Sequence, residues 1–289
     1  MKISIIIPTL NNPTLPKTLA SVFQQTCSSD EVLVVGLFEE NLCQLFPKAR
    51  FISTGRPVNA ATARNIGMRE SKGDVFLFID SDCIALSNWL ETHRKYHQRG
   101  IEVLGGGVEI TSKNYWTLSD NLSMFHDFMT DCPAGEKFLL PTLNLSLNRS
   151  IFERFGGMDE SFPGAGGEDS DWTIKLRLAG VPLLFIPTAV VLHSPSRTQF
   201  KDLFYHWYHS GQNNIRVRMR YRKEFKTPWW ASSPFCLYIF SPFIAAWTTF
   251  KMYGSSQFWT YWPNIPAVYI TKIIYCWGAA NRIKTYGLQ

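Results

Sequence analysis

Two carboxylates, Asp80 and Asp82, close a short apolar run with only Ser81 between them. Acids at i and i+2 across a small residue can turn toward one ligand. Such a pair can hold a divalent cation on a diphosphate. A second acidic group follows a glycine loop, where Gly164, Gly166 and Gly167 lead into Glu168-Asp169-Ser170-Asp171. A helix that starts there stabilises a carboxylate at its N-terminus through unpaired N–H groups and the helix dipole. One of the three acids is expected to serve as a cap. Three acids exceed what capping asks for, so chemistry is expected from the rest. His193 closes the last apolar run before a Ser-Pro-Ser turn. A lone histidine is more often structural than a ligand, and position has to decide between the two.

These groups need elements to hold them. Val75 to Ile79 is β-branched and aromatic, without Gly or Pro. That composition predicts a strand buried on both faces of a parallel sheet. In open α/β sheets, ligands gather outside the carboxyl ends of such strands, which is where Asp80 and Asp82 fall. Further strands are expected over Ile3–Ile7 (stopped by Pro8), Val32–Val35, Phe51–Ile52, Ile101–Leu104, Leu183–Ile186 and Ala189–His193. Leu143–Leu147 alternates apolar and polar residues and predicts a strand at the edge of the core. Helices are expected over Pro16–Gln25, over Ala60–Ser71 with Gly73 as its cap, from Ser87 to Gln98, and over Asn114–Met129. Ile151–Phe155 predicts one helical turn. The helix after Glu168 puts Trp172, Leu176 and Ala179 on one face. Strands alternating with helices predict an α/β fold, a mostly parallel sheet flanked by helices.

Composition divides the chain. Residues 1–196 hold 17 Lys and Arg against 21 Asp and Glu, a net charge of −4. Residues 197–289 hold 12 against 2, a net charge of +10, and 24 of the 42 aromatics. The expected organisation is therefore a domain over 1–196 and a helical, basic, aromatic appendage over 197–289. A long helix rich in Arg is expected from Gln199 to Phe225. After it, Thr227–Phe250 is uncharged for 24 residues and Met252–Thr271 for 20. Both are long enough to cross a bilayer but are interrupted by prolines and polar residues. Their Trp and Tyr suit the headgroup level, so interfacial or re-entrant helices on an anionic membrane surface are the favoured reading, ahead of nucleic acid. The alternative is an ordinary aromatic interface, against the rest of the chain or a second copy in a homo-oligomer. Lys2 precedes only a short apolar run, so no secretory signal is expected. The six cysteines have no CxxC spacing and are expected to be reduced thiols acting as small hydrophobes.

The ordered series Ser4-Ile5-Ile6-Ile7-Pro8-Thr9, Ala63-Arg64-Asn65-Ile66-Gly67, Gly73-Asp74 running into Asp80-Ser81-Asp82, Asn144 through Phe155-Gly156-Gly157-Met158-Asp159-Glu160, Gly167-Glu168-Asp169 and His193 resembles the family 2 glycosyltransferases, which have the nucleotide-diphospho-sugar transferase (GT-A) fold. The resemblance covers residues 1 to about 196. It implies inverting transfer of a sugar from a nucleotide diphosphate donor to an acceptor hydroxyl, with Mn2+ or Mg2+ on the diphosphate. It also implies roles. Asp82 is the direct metal ligand, His193 the second, and Asp80 contacts the ribose or sugar. Asp169 is the base, with Glu168 beside it raising its pKa by like-charge repulsion. Pro8, Thr9, Asn11, Arg64, Asn65 and Ser81 line the donor site, although Arg64 by itself also reads as a surface cation on an amphipathic helix. Gly167 and Trp172 fall on the acceptor side.

One position departs from the family's pattern. Members usually end the second strand with an acid that helps read the nucleobase, and here the run is Val34-Val35-Gly36-Leu37-Phe38-Glu39. Base recognition through backbone, a less usual donor and a degenerate site all remain open, with a UDP-sugar the favoured donor class. Catalytic domain and basic tail together imply an enzyme on the cytoplasmic face of the cell membrane, acting on a membrane-proximal glycan or lipid-linked acceptor in polysaccharide biosynthesis. The rival reading is a donor-binding scaffold that has lost activity.

Overall fold

The computed structural model describes residues 1–164 and 166–287. Its strands are β1 (Ile3–Leu10), β2 (Glu31–Leu37), β3 (Ala49–Ser53), β4 (Val75–Ile79), β5 (Cys83–Ala85), β6 (Val103–Glu109), β7 (Gly135–Glu136), β8 (Asn144–Asn148) and β9 (Leu184–His193). Its helices are α1 (Leu15–Phe23), α2 (Asn41–Leu45), α3 (Ala60–Glu70), α4 (Trp89–Gln98), α5 (Tyr115–Phe125), α6 (Arg149–Phe155), α7 (Glu168–Leu178), α8 (Phe200–Arg220), α9 (Pro234–Tyr253) and α10 (Ile265–Tyr286). Two compact units result, and neither is contiguous in sequence. The first comprises 1–109, 127–163 and 168–195. The second comprises 110–126, 164–167 and 196–289, so α5 and the glycine loop, placed by composition in a domain over 1–196, group with the C-terminal helices.

The first unit is built on a mixed sheet in the order β3-β2-β1-β4-β8-β6-β9-β5, with β7 paired to β9. Strands β1 to β4 run parallel to their neighbours among themselves. β8 runs antiparallel to β4 and to β6, and β6 is parallel to β9. Every residue of β4 is buried, as its apolar run requires.

Several elements differ from expectation, each for a local reason. β8 lies in the middle of the sheet, not at its edge. Its polar positions are buried because they have buried partners. Asn144 accepts from Trp89 Nε1 at 2.8 Å, and Ser146 Oγ lies 2.7 Å from both His93 Nδ1 and His97 Nε2. These contacts dock α4 on the sheet. β1 continues through Pro8 to Leu10. Pairing with β4 ends at Ile6, so beyond it only β2 flanks β1, and the missing proline N–H costs no ladder bond on the β4 side. The two last strands merge into β9, whose register against β6 shifts between Gly106 and Gly107. Gly107 has no side chain to collide with the Pro187 carbonyl, so the proline is accommodated there. α3 ends in extended geometry at Ser71, and Gly73 is no cap. A side chain at Gly73 would strike Ser4, whose Oγ accepts the Gly73 N–H at 2.7 Å.

In the second unit, α8 and α10 cross at two glycines. A side chain at Gly211 would meet the Tyr275 carbonyl, and one at Gly278 the Tyr208 carbonyl. Ile215, Leu237, Ala279, Ala280 and Ile283 form one buried cluster there, and Leu203, Trp207 and Ile274 another. Asp120 on α5 is fully buried and accepts from Arg197 Nε at 2.6 Å and Trp207 Nε1 at 2.8 Å, with His206 Nδ1 at 2.7 Å. The prolines expected to interrupt the tail mostly start helices. Pro234 and Pro266 stand in the first turns of α9 and α10, where no N–H is needed, and only Pro242 lies inside α9. α9 is long and apolar enough to cross a membrane by length and composition, and only 28% of that stretch is buried.

Candidate active site

The residues Asp80 to Cys83 form a tight turn at the carboxyl end of β4, closed by the Cys83 N–H donating to the Asp80 carbonyl at 3.0 Å. Thr14 and Thr18, from the start of α1, donate their hydroxyls to the Ser81 carbonyl at 2.8 and 3.0 Å. The turn is therefore held from below, and both aspartates project from a fixed backbone.

Arg64 on α3 organises the site. Only 4% of it is exposed. Nη2 donates to Asp80 Oδ1 at 2.7 Å and Nη1 to Glu168 Oε1 at 2.9 Å. Glu168, also buried, opens α7, so one guanidinium ties the Asp-Ser-Asp turn to the acidic helix start. Arginine suits this place because its planar fork serves two carboxylates at once. Burial disfavours the cation, but Asp80, Glu168 and Asp169 more than offset that and hold its pKa above the ordinary value. Asp80 is pushed up, first by burial and then by Asp82, against the downward pull of Arg64. Glu168, expected as a like-charge neighbour of Asp169, is instead one end of a carboxylate–guanidinium–carboxylate bridge to Asp80. Arg64 is not the surface cation that its helix alone would allow.

Asp82 Oδ2 lies 3.7 Å from His193 Nε2 at the end of β9. The Ser194 N–H donates to the Asp82 carbonyl at 2.9 Å and pins the two strand ends together. Ligands ~2.1 Å from one ion lie ~3–4 Å apart, so this carboxylate and imidazole fit one coordination sphere. Asp80, Glu168 and Asp169 act on the Arg64 guanidinium and Asp82 acts on Asp80, and this surplus of negative charge suits a divalent cation. Asp169, in the first turn of α7, is oriented by backbone: the Ser170 N–H donates to Oδ1 at 2.7 Å and the Thr142 N–H to Oδ2 at 3.3 Å.

Other expected site residues sit elsewhere. Asn65 is buried and its amide is engaged by the loop after α6. It donates to Met158 O at 2.9 Å and Glu160 Oε1 at 2.8 Å, and Oδ1 accepts the Met158 N–H at 2.9 Å. Its role is to position that loop, and the expected donor contact is not what its amide makes. Trp172 is buried against Phe78, its Nε1 donating to Gly156 O at 3.0 Å, so it is a core residue and not an acceptor contact. Gly167 takes φ +97°, a conformation that favours glycine, as does Gly166 before it at φ +101°. Thr9 is buried near the end of β1, and its hydroxyl has no hydrogen-bond partner among the described residues. Asn11 is exposed in a left-handed conformation, φ +50°, with its N–H donating to Leu37 O at 2.7 Å. Gly36, where the family carries an acid nearby, takes φ +135°, and any side chain there would strike the Thr9 carbonyl. Glu39 is exposed.

Sequence reasoning missed the bridging role of Arg64, the thiol of Cys83 beside Asp82 and His193, and the histidines under β8. The spacing of His93 and His97, i and i+4 on one helix, was a signal for the last.

A family model for glycosyl transferase family 2 matches residues 4–156. The glycosyltransferase AglE of Haloferax volcanii is 27% identical over 246 residues, 79% of this chain and 79% of its own length. The pre-mycofactocin glycosyltransferase of Mycobacterium tuberculosis is 28% identical over 151 residues, 49% of this chain and 31% of the relative. Among solved structures, the mannosyltransferase PcManGT from Pyrobaculum calidifontis, in complex with GDP-Man and Mn2+, aligns over 97% of this chain and 86% of its own, with TM-score 0.64 and 14% identity. GalNAc-T7 with UDP, GalNAc and Mn2+ aligns over 80% of this chain and 50% of its own, with TM-score 0.61 and 17% identity. The fold is thus the GT-A fold. With its model matching more than half of the chain in one uninterrupted stretch, the chain belongs to glycosyl transferase family 2.

Proposed function

We propose that this glycosyltransferase moves a sugar, with inversion, from a nucleoside diphosphate donor to the hydroxyl of a membrane-proximal glycan or lipid-linked acceptor. The observation that carries this reading is the Arg64 bridge between Asp80 and Glu168, beside the Asp82–His193 pair. It joins a diphosphate-facing corner to an acidic helix start in one rigid unit.

In this reading Asp82 and His193 hold Mn2+ or Mg2+, which when bound supplies charge stabilisation to the diphosphate leaving group. Asp80, fixed by Arg64, contacts the donor's ribose or sugar. Asp169 accepts the proton of the acceptor hydroxyl, whose oxygen attacks the anomeric carbon as the nucleoside diphosphate departs. Two backbone N–H groups orient the Asp169 carboxylate for this task. Glu168 positions Arg64 and takes no proton. A UDP-sugar remains the favoured donor, although Gly36 leaves no room for an acid on the base, and GDP-Man bound to PcManGT makes a guanine donor the second class to try. The basic second unit docks on the anionic cytoplasmic leaflet through α9 and neighbouring aromatics. The exposed side chains of Trp229, Phe235, Phe243, Trp247, Phe250 and Trp262 support this.

The test is a screen of UDP- and GDP-sugars with and without Mn2+, followed by turnover of Asp169→Asn. A donor that stabilises the protein only with metal, and a variant that binds it but turns over at least ~100-fold more slowly, are the expected results. Donor binding without turnover in the unmutated protein, across lipid-linked and glycan acceptors, would instead favour the scaffold reading.

A further inference from the structure

One donor atom beside the site is not used by the chemistry above. Cys83 follows Asp82 and opens β5, and its side chain is fully buried. Cys83 and His193 are register partners in the antiparallel β5–β9 pair. Residues directly opposite across such a pair point their side chains to the same face. The backbone is pinned on both sides, by the Cys83 N–H on Asp80 O and the Ser194 N–H on Asp82 O. Cys83 Sγ lies 4.0 Å from Asp82 Oδ1. One ligand atom from each of Asp82, Cys83 and His193 falls within 4.8 Å of the other two. A tetrahedral site with a ~2.3 Å metal–sulfur bond and a ~2.1 Å metal–oxygen bond sets sulfur and oxygen ~3.6 Å apart. Measured to Oδ1, the thiol is a few tenths of an ångström from that spacing, while His193 faces the other carboxylate oxygen, Oδ2.

We propose that Cys83 is a third protein ligand of this cation site, and that it gives the site an affinity for thiophilic cations such as Co2+, Zn2+ and Cd2+ that a carboxylate–imidazole pair lacks. This rests on reading Asp82 and His193 as the cation site. Oxygen donors suit Mg2+ and Mn2+, imidazole suits the later transition metals, and sulfur selects soft or borderline ions. The mixed set is therefore a point of metal selectivity, and one at which a thiophilic cation displaces the harder one.

The experiment titrates the full chain with CoCl2, CdCl2 and MnCl2, in the presence and absence of UDP or GDP, and compares Cys83→Ser and Asp82→Asn. Co2+ is followed by its visible ligand-field bands and its near-ultraviolet sulfur-to-metal charge-transfer band, and the other ions by calorimetry. The expected result is a charge-transfer band in the unmutated protein that Cys83→Ser lacks. The same variant loses ~10-fold or more in Cd2+ affinity and far less in Mn2+ affinity. Cys83→Ala repeats the comparison should Ser be poorly tolerated at this buried position, and melting temperatures without metal show that each variant is folded. Co2+ binding without the sulfur band, or Cd2+ affinity unmoved in both Cys83 variants, overturns the role of Cys83 alone. In that case Mn2+ still binds, and Asp82→Asn abolishes it. Failure of every ion to bind the unmutated protein overturns the cation-site reading and this proposal with it.

Discussion

Replacing Arg64 with Met tests the bridge on which the site is built. The change keeps most of the side-chain length and removes the guanidinium that faces Asp80 and Glu168. Glu168 is 2% exposed and Arg64 4%, so this half of the bridge is a buried ion pair. Breaking such a pair from one side costs ~3–5 kcal/mol, because the remaining charge keeps its desolvation penalty and loses its counter-ion. The Asp80 side chain is about a third exposed (32%), water screens that half, and it adds only ~0–1 kcal/mol. The expected loss is therefore ~3–5 kcal/mol, a large share of the ~5–15 kcal/mol that holds a domain together. Glu168→Gln keeps the shape and should cost less, ~1–3 kcal/mol, as a hydrogen bond to a charged group is weakened. The double variant should fall short of the sum by ~1–3 kcal/mol, since either change alone already breaks the contact. Urea unfolding followed by tryptophan fluorescence reports on this unit through the buried Trp89 and Trp172. A cost under ~1 kcal/mol for Arg64→Met, or strict additivity in the cycle, would refute the reasoning.

Three further outcomes are expected. Burial pushes His93 down to about 3 and His97 down to about 4, so the folded state refuses protons that the unfolded chain takes up below ~6.5. This stability is complete above pH ~6.5 and is lost as pH falls toward 4, by up to ~1.4 kcal/mol per pH unit for each histidine, and urea midpoints at pH 7 and pH 5 measure it. Gly278→Ala should force α8 and α10 apart at the Tyr208 carbonyl and cost ~1–3 kcal/mol, read as a lowered melting temperature, whereas an unchanged value would contradict the close crossing. Trp247→Ser and Phe243→Ser, both on the outward side of α9, should each weaken sedimentation with anionic vesicles by ~10-fold while leaving the melting temperature in place, because each removes ~1.5 kcal/mol or more of apolar burial in the interface. Equal vesicle binding by these variants would place any membrane contact elsewhere.

Much of the fold was legible in the sequence because its signals are local. The apolar run Val75–Ile79 and the acidic start of α7 act through neighbours a few residues away. Strand β8 was misplaced at the edge because alternation counts polar residues as solvent-facing. Asn144 and Ser146 are polar and buried, and only the arrival of Trp89, His93 and His97 from another element makes that tolerable. Asn65 and Trp172 were read as ligand contacts for a similar reason, since a residue's type does not reveal what already occupies its hydrogen bonds.

The sequence by itself determined most of the alternation of strands and helices in the first 196 residues, though not α2, β5 or β7, together with the acids at the carboxyl end of β4 and at the start of α7 and the charge contrast between the two parts of the chain. Those follow from periodicity and composition. The tertiary structure alone decided which of the distant groups meet. Arg64 and Glu168 are 104 residues apart, and Asp82 and His193 are 111. Their contacts depend on the sheet order and on the register of β5 against β9. A shift of one residue in that register would turn His193 or Cys83 to the opposite face and dissolve the cluster. Register is settled by the packing of the whole sheet, which no local stretch of residues encodes.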